Sequence, residues 1–352
     1  MYLRNTWYVL ATRSELGDNL TPFTVLGERV VGFRRTDGAP AVIEDACPHR
    51  KLPLSMGRRQ GDAIVCGYHG LTFDGAGTCI AAPTQARIPS TARVKSYPVV
   101  DKWGLVWIWM GEPAAADPSK IIAIENHGKP GWLLTNGDSM ICGCNYLYLT
   151  DNLLDPSHVA WVHVTSFAAP GTESTPLEVK ANDDGVVVSR WMLDRPVPPF
   201  YAPLVKFKGN CDRLQHYEVR FPSLAINMSI YTPAGQGGVG RPVPSDAYRM
   251  VSYHFMTPAD ETSTRYFWLQ HRNTDADNAD ITAQVAAGAR RAFEEDRIIL
   301  EAVQQGMTNP ASPHLDLALD AGALRFRRNL KALIEKERAA TGVGRVGDAQ
   351  RR

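Results

Sequence analysis

The sequence lacks a charge surplus, a long apolar run and a secretion signal. Its 38 Lys and Arg residues nearly balance its 37 Asp and Glu residues, whereas nucleic-acid-binding proteins usually carry a basic excess. No stretch of the chain reaches the roughly 18 apolar residues that a membrane-spanning helix needs. The first residues have no apolar segment followed by a cleavage site. We therefore expect a cytoplasmic protein that binds neither nucleic acid nor membrane.

Cysteine is too sparse for a disulfide framework. There are 6 cysteines in 352 residues, and without a secretion signal they favour thiols or metal ligands. Cys142 and Cys144 are interpreted as buried strand thiols, because no histidine or third cysteine lies close to them in sequence. The pattern assigns no role to Cys79 or Cys211.

Two regions of the chain differ in their pattern. Residues 1–111 contain short β-type runs separated by Gly, Pro and Asp, which predict a small all-β domain. Residues 120–341 contain longer β-type runs, which predict an antiparallel sheet, and helical stretches over 280–305 and 316–340. We expect residues 342–352 to form a disordered tail.

The first group of candidate ligands lies in the predicted β domain. Cys47 and His49 are followed, after residues 50–65, by Cys66 and His69. Each arm thus offers one thiolate and one imidazole, whereas structural zinc sites more often place two cysteines in one arm. A Rieske 2Fe-2S cluster uses two cysteines on one iron and two histidines on the other. The pattern predicts such a cluster, with a zinc knuckle or four unrelated residues as alternatives.

A second group of candidate ligands lies further along the chain. Asp151, Asp155, His158 and His163 occupy a short, largely apolar segment. On a straight helix His158 and His163 would point about 140° apart, so joint metal binding requires a helix end or bulge between them. Pro156 makes such an irregularity plausible.

The helix predicted over 280–305 supplies a third candidate ligand. Its inward-facing stripe consists of Val285, Ala289, Ala292, Asp296, Ile299 and Val303. Asp296 is the ionisable member, and a buried carboxylate requires a cation or a metal as partner. Glu294 and Glu295 lie off the stripe and are interpreted as solvated or ion-paired surface residues. The alternative for Asp296 is a buried salt bridge with Arg290 or Arg325.

His158, His163 and Asp296 together match a known type of iron site. Two histidines and one carboxylate form the facial triad of non-haem Fe(II) oxygenases, which leaves coordination positions open for O2. The two predicted metal sites support each other, because a Rieske cluster can supply the electrons that an oxygenase iron consumes.

These residues resemble the Rieske non-haem iron aromatic oxygenases, specifically the vanillate O-demethylase and dicamba monooxygenase type. The similarity also extends to the toluenesulfonate methyl-monooxygenase branch. The resembling motifs lie at residues 5–9, 47–50, 53–55, 66–71, 106–109, 152–155 and 295–296. The resemblance implies an α+β fold, with an N-terminal all-β Rieske domain followed by a helix-grip catalytic domain, an antiparallel sheet around a long helix.

The resemblance also implies roles for individual residues. Asn152 and Asp155 match catalytic positions, and Asp155 would bridge a cluster histidine of one subunit and an iron-binding histidine of its neighbour. His69 of one chain would then face Asp155 and His158 of the next, which implies a homotrimer. A separate flavin and ferredoxin-type reductase would pass electrons from NAD(P)H to the cluster.

The implied reaction is the oxidation of a methoxy or methyl group of a small aromatic acid by O2. We expect O-demethylation of a vanillate-like methoxybenzoate, with hydroxylation of an aryl methyl group on a toluenesulfonate-like substrate as the alternative. A Rieske electron carrier with a non-catalytic ligand-binding domain is the rival from another class. Asn227 and His254, polar residues in apolar strands, are the candidate substrate contacts, and each could equally be structural.

Overall fold

A computed structural model describes residues 2–309, 311 and 313–341. The chain forms two compact units. The first comprises the residues up to Ala123 together with Thr257–Glu261, and the second comprises Ile124–Met256 and the described residues from Thr262 onwards. Within these described ranges, no helix combines the length and the apolar character needed to cross a membrane.

The first unit is built from ten short strands. They are β1 (Trp7–Thr12), β2 (Thr21–Val25), β3 (Glu28–Arg34), β4 (Pro40–Glu44), β5 (Arg58–Gln60), β6 (Ala63–Val65), β7 (Thr72–Asp74), β8 (Cys79–Ala81), β9 (Val99–Lys102) and β10 (Leu105–Trp109). They form three antiparallel sheets in the orders β1-β10-β9, β2-β3-β4 and β5-β6-β7-β8. Leu26 and Gly27 close the tight β2–β3 hairpin with φ values of 51° and 79°, as the strand twist requires.

A hydrophobic cluster in the first unit fixes the positions of two candidate ligands. Phe33 and Ile43 pack with Phe73 and with the thiols of Cys47 and Cys66, and all five side chains are buried. Because packed interiors deform little, the loops that carry the two cysteines rest on a rigid base.

The second unit contains one large antiparallel sheet. Its strands are β11 (Leu133–Cys142), β12 (Glu178–Ala181), β13 (Gly185–Arg195), β14 (Cys211–Arg220), β15 (Leu224–Pro233), β16 (Tyr248–Pro258) and β17 (Thr264–Arg272). The order β11-β17-β16-β15-β14-β13-β12 is a meander from β12 to β17 with β11 added beside β17. Strand side chains alternate between the two faces, so residues spaced by two line the same face.

Four α-helices, counted over the described residues, accompany this sheet. They are α1 (Tyr146–Leu154), α2 (Val159–Val162), α3 (Ala279–Gly306) and α4 (Ala321–Thr341). The side chain of Asn278 accepts a hydrogen bond from the Ile281 amide at 3.0 Å and so caps α3. α3 packs against β11, and α1 packs against α3 and α4.

The buried stripe of α3 differs from the predicted one in its last turns. Val285, Ala289, Ala292 and Asp296 are buried as predicted, but the stripe continues through Leu300. Ile299 and Val303, which the sequence placed inside, are 46% and 39% exposed. Val303 lies five full turns after Val285 and therefore on the same face of the helix, so a drift of the helical period does not explain its exposure. Ile299 and Val303 instead line an open cavity beside the segment that follows α3.

The predicted architecture is confirmed: an all-β N-terminal part precedes an antiparallel sheet with a long helix. The last helix begins at Ala321, not at residue 316, after a 3-10 turn over Ala318–Asp320. The domain limits drawn at 1–111 and 120–341 stay predictions. The expected tail at 342–352 lies outside the described residues.

Candidate metal centres and the cavity beside one of them

The first candidate loop follows β4 and is closed by two backbone hydrogen bonds. The Cys47 amide donates to the Leu52 carbonyl at 2.9 Å, and the Lys51 amide donates to the Cys47 carbonyl at 2.8 Å. Lys51 has a φ of 60°, a left-handed conformation that a lysine adopts only where the surrounding structure enforces it. The loop therefore holds His49 on a short, fixed turn.

The second candidate loop follows β6 and repeats this pattern. The Cys66 amide donates to the Leu71 carbonyl at 2.8 Å, and the Gly70 amide donates to the Cys66 carbonyl at 3.1 Å. Gly70 has a φ of 72°, which glycine adopts without a steric cost. The two loops thus present one cysteine and one histidine each from closely similar backbones.

The side chains of these loops meet in pairs. The Nδ1 atoms of His49 and His69 lie 3.1 Å apart, a spacing suited to two ligands of one ion. The thiols of Cys47 and Cys66 adjoin each other, and burial, with the neighbouring thiol adding to it, raises the pKa of Cys47. Both cysteines are buried, whereas His49 is exposed and His69 is half-buried. This pairing fits a cluster with two thiolates on one iron and two imidazoles on the other.

The second candidate centre joins α2 and α3. α1 ends at Leu154, and the next helix, α2, begins after His158 and ends before His163. Asp296 of α3 places its Oδ1 atom 3.6 Å from Nε2 of His158 and 3.2 Å from Nε2 of His163. One ligand atom of each residue lies within 4.8 Å of the other two. The sequence required a helix end or bulge between the two histidines, and α2 ends at Val162, between them.

Hydrogen bonds to the far ring nitrogens orient both histidines. Nδ1 of His158 contacts the backbone carbonyl of Asp155, and Nδ1 of His163 lies 2.7 Å from Oε2 of Glu295. Such contacts fix the tautomer that leaves Nε2 available to a metal. Glu295, interpreted as a solvated or ion-paired residue, is half-buried and pairs with the His163 ring, a role that the sequence analysis did not assign to it.

The buried carboxylate of this centre requires a cation as its partner. Asp296 is buried, and its Oδ1 has no hydrogen-bond partner within the described residues. Burial lowers the pKa of His163, but Asp296 and Glu295 outweigh it, and the net pKa is raised. The salt-bridge alternative with Arg290 is not realised, since Arg290 pairs with Asp138 instead. An unsatisfied carboxylate oxygen facing two Nε2 atoms fits a divalent metal ion.

The last turn of α1 and the loop after it carry the two predicted catalytic residues, Asn152 and Asp155. The backbone carbonyl of Asn152 accepts the Asp155 amide at 3.2 Å. The Asp155 carboxylate accepts the Ser157 amide at 2.7 Å and contacts the Ser157 hydroxyl. Asp151, by contrast, pairs with Arg327 of α4 and not with the metal centre. Asp155 is half-buried, and its role as a bridge stays a prediction.

Sequence reasoning missed a buried guanidinium that supports this loop. Arg190 of β13 is 5% exposed. It donates to the Pro156 carbonyl at 3.0 Å, to the Thr172 carbonyl, and to Oε1 of Gln215 at 2.8 Å. Arg190 thereby ties the loop before His158 to the segment after His163. In the sequence, Arg190 could have been identified by its position among the inward-facing residues of an alternating strand.

A cavity of about 80 Å³ opens beside His158, His163 and Asp296. Its apolar walls include Leu153, Val159, Phe167, Tyr201, Met250 and Phe293, and its polar lining includes Tyr217, Asn227, Ser229, Ser252, His254 and Gln270. The structure therefore brings both candidate substrate contacts, Asn227 and His254, into the cavity with the three candidate ligands. The other polar residues were missed, although they alternate along β14 to β17.

His254 lines this cavity as a neutral imidazole. Burial lowers its pKa to about 3, and burial raises the pKa of Tyr266, so both groups keep their neutral forms at pH 7. The Tyr266 hydroxyl lies 2.6 Å from Nδ1 of His254. If this hydroxyl donates to Nδ1, the proton of the imidazole resides on Nε2. Nε2 is buried without a partner in the described structure.

Comparison with known proteins identifies the family. The model of the vanillate O-demethylase oxygenase C-terminal domain matches residues 142–336, and the model of the Rieske 2Fe-2S domain matches residues 6–98. The chain belongs to these Rieske oxygenases. It is 36% identical to the iron-sulfur subunit of the toluene-4-sulfonate monooxygenase system of Comamonas testosteroni, over 97% of this chain and 99% of that protein.

Other Rieske oxygenases are similar over the same extent. The vanillate O-demethylase oxygenase subunit of a Pseudomonas species is 32% identical, over 98% of this chain and 99% of that protein. The crystal structure of dicamba monooxygenase bound to 3,6-dichlorosalicylic acid has a TM-score of 0.86 at 29% identity, covering 96% of this chain and 98% of that chain.

Membership confirms the enzyme class and the cofactors. The chain is the oxygenase component of a Rieske non-haem iron monooxygenase, with a Rieske cluster and a mononuclear non-haem iron. The α+β fold with its helix-grip-like catalytic domain is that of dicamba monooxygenase. The residues that bind the two groups stay predictions, which the paired loops and the converging triad support.

Proposed function

We propose that this Rieske oxygenase oxidises a methoxy or methyl group of an aromatic acid, with O-demethylation of a methoxybenzoate as the preferred reaction. One observation supports this proposal above the others. A single cavity contains the three candidate iron ligands and, on the sheet opposite, the polar groups of Asn227 and His254. An apolar-walled cavity with few polar groups suits a ring that carries one anionic substituent.

His254 and Asn227 are assigned to the acid group. Nε2–H of His254 would donate to a carboxylate or sulfonate oxygen, and the Asn227 side-chain amide supplies a second hydrogen-bonding group. Neither residue carries charge, so recognition would rely on oriented dipoles in a site of low dielectric constant. An acid bound at this wall of the cavity would direct the opposite edge of its ring away from the sheet and toward α2 and α3.

The residues around the triad would prepare the reaction. When bound, the iron supplies the centre that activates O2. Asp296 would provide the anionic ligand, and the contacts of the Asp155 carbonyl and Glu295 with the two Nδ1 atoms would leave Nε2 of each imidazole available to the ion. Phe167 and Phe293 line the cavity and would exclude water from the reacting group.

Electrons would reach this site from outside the chain. Relatives named oxygenase component or oxygenase subunit indicate a separate reductase, which we propose passes electrons from NAD(P)H to Cys47, His49, Cys66 and His69 and their cluster. We further propose a homotrimer, in which Asp155 connects the cluster of one subunit to the iron of the next.

The alternative reaction is hydroxylation of an aryl methyl group. The 36% identity to the toluene-4-sulfonate monooxygenase subunit supports it, and a sulfonate could accept the same hydrogen bonds as a carboxylate. The purely electron-carrying alternative lacks support, because His158, His163 and Asp296 converge as an intact ligand set.

The test is an assay of oxygen uptake with a surrogate reductase. Methoxybenzoates, methylbenzoates and arylsulfonates would be supplied in turn, with formaldehyde and the aromatic product measured. O-demethylation yields one formaldehyde and one phenol, whereas methyl hydroxylation yields a benzylic alcohol without formaldehyde. Asp296→Ala, tested in parallel, measures the oxygen uptake that does not depend on the mononuclear iron site. Oxygen uptake without product from any aromatic acid would reject the proposal.

A further inference from the structure

A chain of buried side chains begins at the wall of the cavity. Tyr217 of β14 lines the cavity, and its hydroxyl accepts a hydrogen bond from Nε2 of Gln215 at 3.3 Å. Oε1 of Gln215 accepts a hydrogen bond from Nε of Arg190 at 2.8 Å. Arg190 and Gln215 are direct neighbours on the paired strands β13 and β14, and all three side chains are buried. The chain therefore connects the cavity wall to a buried guanidinium of β13.

The guanidinium holds both ends of one segment of the chain. Its other two nitrogens donate to the carbonyl of Pro156 at 3.0 Å and to the carbonyls of Thr172 and Thr175 at 2.5 and 3.1 Å. Both histidines of the candidate iron site lie between these acceptors in sequence. The segment 156–175 contains one α-helix of four residues, α2, so little regular backbone structure fixes its shape.

The donors and acceptors of this chain allow one arrangement. A guanidinium only donates, so Gln215 must direct Oε1 toward Arg190 and Nε2 toward Tyr217. Burial raises the pKa of Tyr217 to about 12, so its hydroxyl is neutral at pH 7. Because the chain cannot rearrange without losing a hydrogen bond, it keeps the cavity wall and the guanidinium at a fixed separation.

Arg190 is a buried cation whose hydrogen-bond partners in the described residues are all neutral. The acceptors are three backbone carbonyls and the amide oxygen of Gln215. Burial lowers the pKa of Arg190, because taking a charge out of water is costly. Replacing buried ionic groups by apolar residues of similar volume is often neutral for stability. We therefore attribute the presence of Arg190 to the arrangement that its planar fork of donors enforces.

We propose that Arg190 is a positioning residue of the mononuclear iron site. By holding the carbonyls of Pro156 and Thr172 together, it keeps the histidines between them, His158 and His163, in a fixed position relative to the cavity wall. Arg190 acts through the backbone of this segment and not as a ligand. The inference rests on the proposed iron ligands, and it is independent of which aromatic acid the enzyme oxidises.

The test measures Fe(II) binding, because this measurement requires no substrate. Full-length enzyme that retains its cluster but has lost its mononuclear iron would be titrated with Fe(II) in competition with a chelator. Arg190→Met retains the length of the side chain without its donors. It should weaken Fe(II) binding about 10- to 100-fold, the cost of losing an outer partner of a metal ligand. The EPR signal of the Fe(II) site after addition of nitric oxide should also change, because it reports the geometry of the ligands.

Thermal unfolding of the enzyme without mononuclear iron distinguishes positioning from a purely structural role. The unfolding midpoint of Arg190→Met should stay within about 4 °C of the wild type. A clearly lower midpoint, together with wild-type Fe(II) affinity and an unchanged EPR signal in the folded protein, would assign Arg190 to stability and overturn the proposal.

Arg190→Lys separates the charge from the fork. Lysine retains the positive charge but lacks the planar set of donors, so the Fe(II) affinity of this variant should be close to that of Arg190→Met. Full recovery of the wild-type affinity with lysine would overturn the proposal.

Arg249→Met is the matched control. Arg249 of β16 also donates to a loop carbonyl, that of Pro244 at 2.9 Å, but this loop carries no candidate metal ligand. The variant should keep the Fe(II) affinity and the EPR signal of the wild type. Losses equal to those of Arg190→Met would overturn a specific role of Arg190.

Gln215→Leu keeps the proposal testable if no Arg190 variant folds. It removes the link between the guanidinium and Tyr217 and should weaken Fe(II) binding by less than about tenfold, with a changed EPR signal. Wild-type affinity and an unchanged signal in Gln215→Leu would then overturn the proposal.

The further inference and the proposed function fail in different ways. Absence of turnover with every aromatic acid would remove the proposed function and leave the Fe(II) measurements unaffected. Wild-type Fe(II) affinity in His158→Ala would remove the ligand assignment and, with it, the positioning role of Arg190.

Discussion

The two candidate metal centres differ in how the chain constructs them. Four residues between Cys47 and His69 form the first, on two loops with matching backbone hydrogen bonds. His158, His163 and Asp296 form the second, and the last of these comes from a distant helix. A local centre depends on loop geometry, whereas a dispersed centre depends on the packing of a whole unit.

The centres also differ in exposure. The first buries its thiols and leaves His49 exposed, an arrangement suited to electron entry through an accessible imidazole edge. The second buries His163 and Asp296 beside a cavity with largely apolar walls, which suits chemistry from which water must be excluded. Because different residues form the two centres, we expect that the metal group of either centre can be removed while the other centre keeps its own.

The largest expected effect comes from removing one ligand of each centre. The wild type should contain about three irons, two from its 2Fe-2S cluster and one from the mononuclear site. Asp296→Ala should lose one iron and all turnover but retain the visible spectrum of the cluster. Cys66→Ser should lose the cluster and retain mononuclear Fe(II). Iron analysis and visible spectroscopy check both variants, and loss of both centres in either would contradict their independence.

A slightly smaller effect is expected from a variant that slows electron transfer between the two centres. Asp155→Ala should leave both metal contents near normal yet lower turnover by about a hundredfold or more, the cost of misplacing a reacting group. Stopped-flow absorbance should show normal cluster reduction and slow reoxidation.

Ser157→Ala is the control for Asp155→Ala. It removes a hydroxyl that contacts Asp155 but retains the carboxylate, so its turnover should stay within a few-fold of wild type. Wild-type turnover in Asp155→Ala would reject the proposed bridge.

The dispersed centre should depend on its orienting carboxylate. Glu295→Ala removes the partner of His163 Nδ1 and should weaken Fe(II) binding by about 10- to 100-fold, measured by competition with a chelator. Its neighbour Glu294 pairs with Arg297 instead, so Glu294→Ala should leave the iron affinity unchanged. Equal losses of Fe(II) affinity in the two variants would show that any substitution in this part of α3 weakens iron binding, and would contradict a specific role of Glu295.

The smallest expected effect concerns pH. Because the pKa of His254 is lowered to about 3, the imidazole stays neutral throughout the range from about pH 8 to 5.5 and cannot gain a proton there. Affinity for an aromatic acid should therefore change by less than about twofold over that range. Binding that tightens about tenfold as the pH falls through about 6.5 would indicate an imidazolium contact.

The contrast between the centres also explains what the sequence could predict. Spacing alone predicts the local candidate ligands, and helical periodicity indicates Asp296. The local candidates are Cys47, His49, Cys66 and His69. Periodicity could not indicate that Glu295 turns back onto His163, because that contact depends on how α3 meets α2. It also misplaced Ile299 and Val303, because periodicity gives the face of a helix but not how far along the helix the packing extends.

The inner face of the sheet shows the same limit. Asn227 and His254 are visible in sequence as polar residues in apolar strands, but the strand register that aligns Asn227 with Ser252 is not. Without that register, Gln270 is one polar residue in a strand and carries no functional signal. The hydrogen bonds of Arg190 to the loop before His158 likewise appear only in the folded chain.

A single-turnover experiment tests the cooperation of the two centres most directly. The iron-loaded enzyme would be reduced without its reductase, freed of excess reductant and mixed with O2 and a methoxybenzoate, while cluster absorbance and product are followed together. We expect phenol and formaldehyde to form as the cluster becomes oxidised, and little of either product in Asp155→Ala. Product formed while the cluster stays reduced, or cluster oxidation without product from the wild type, would contradict it.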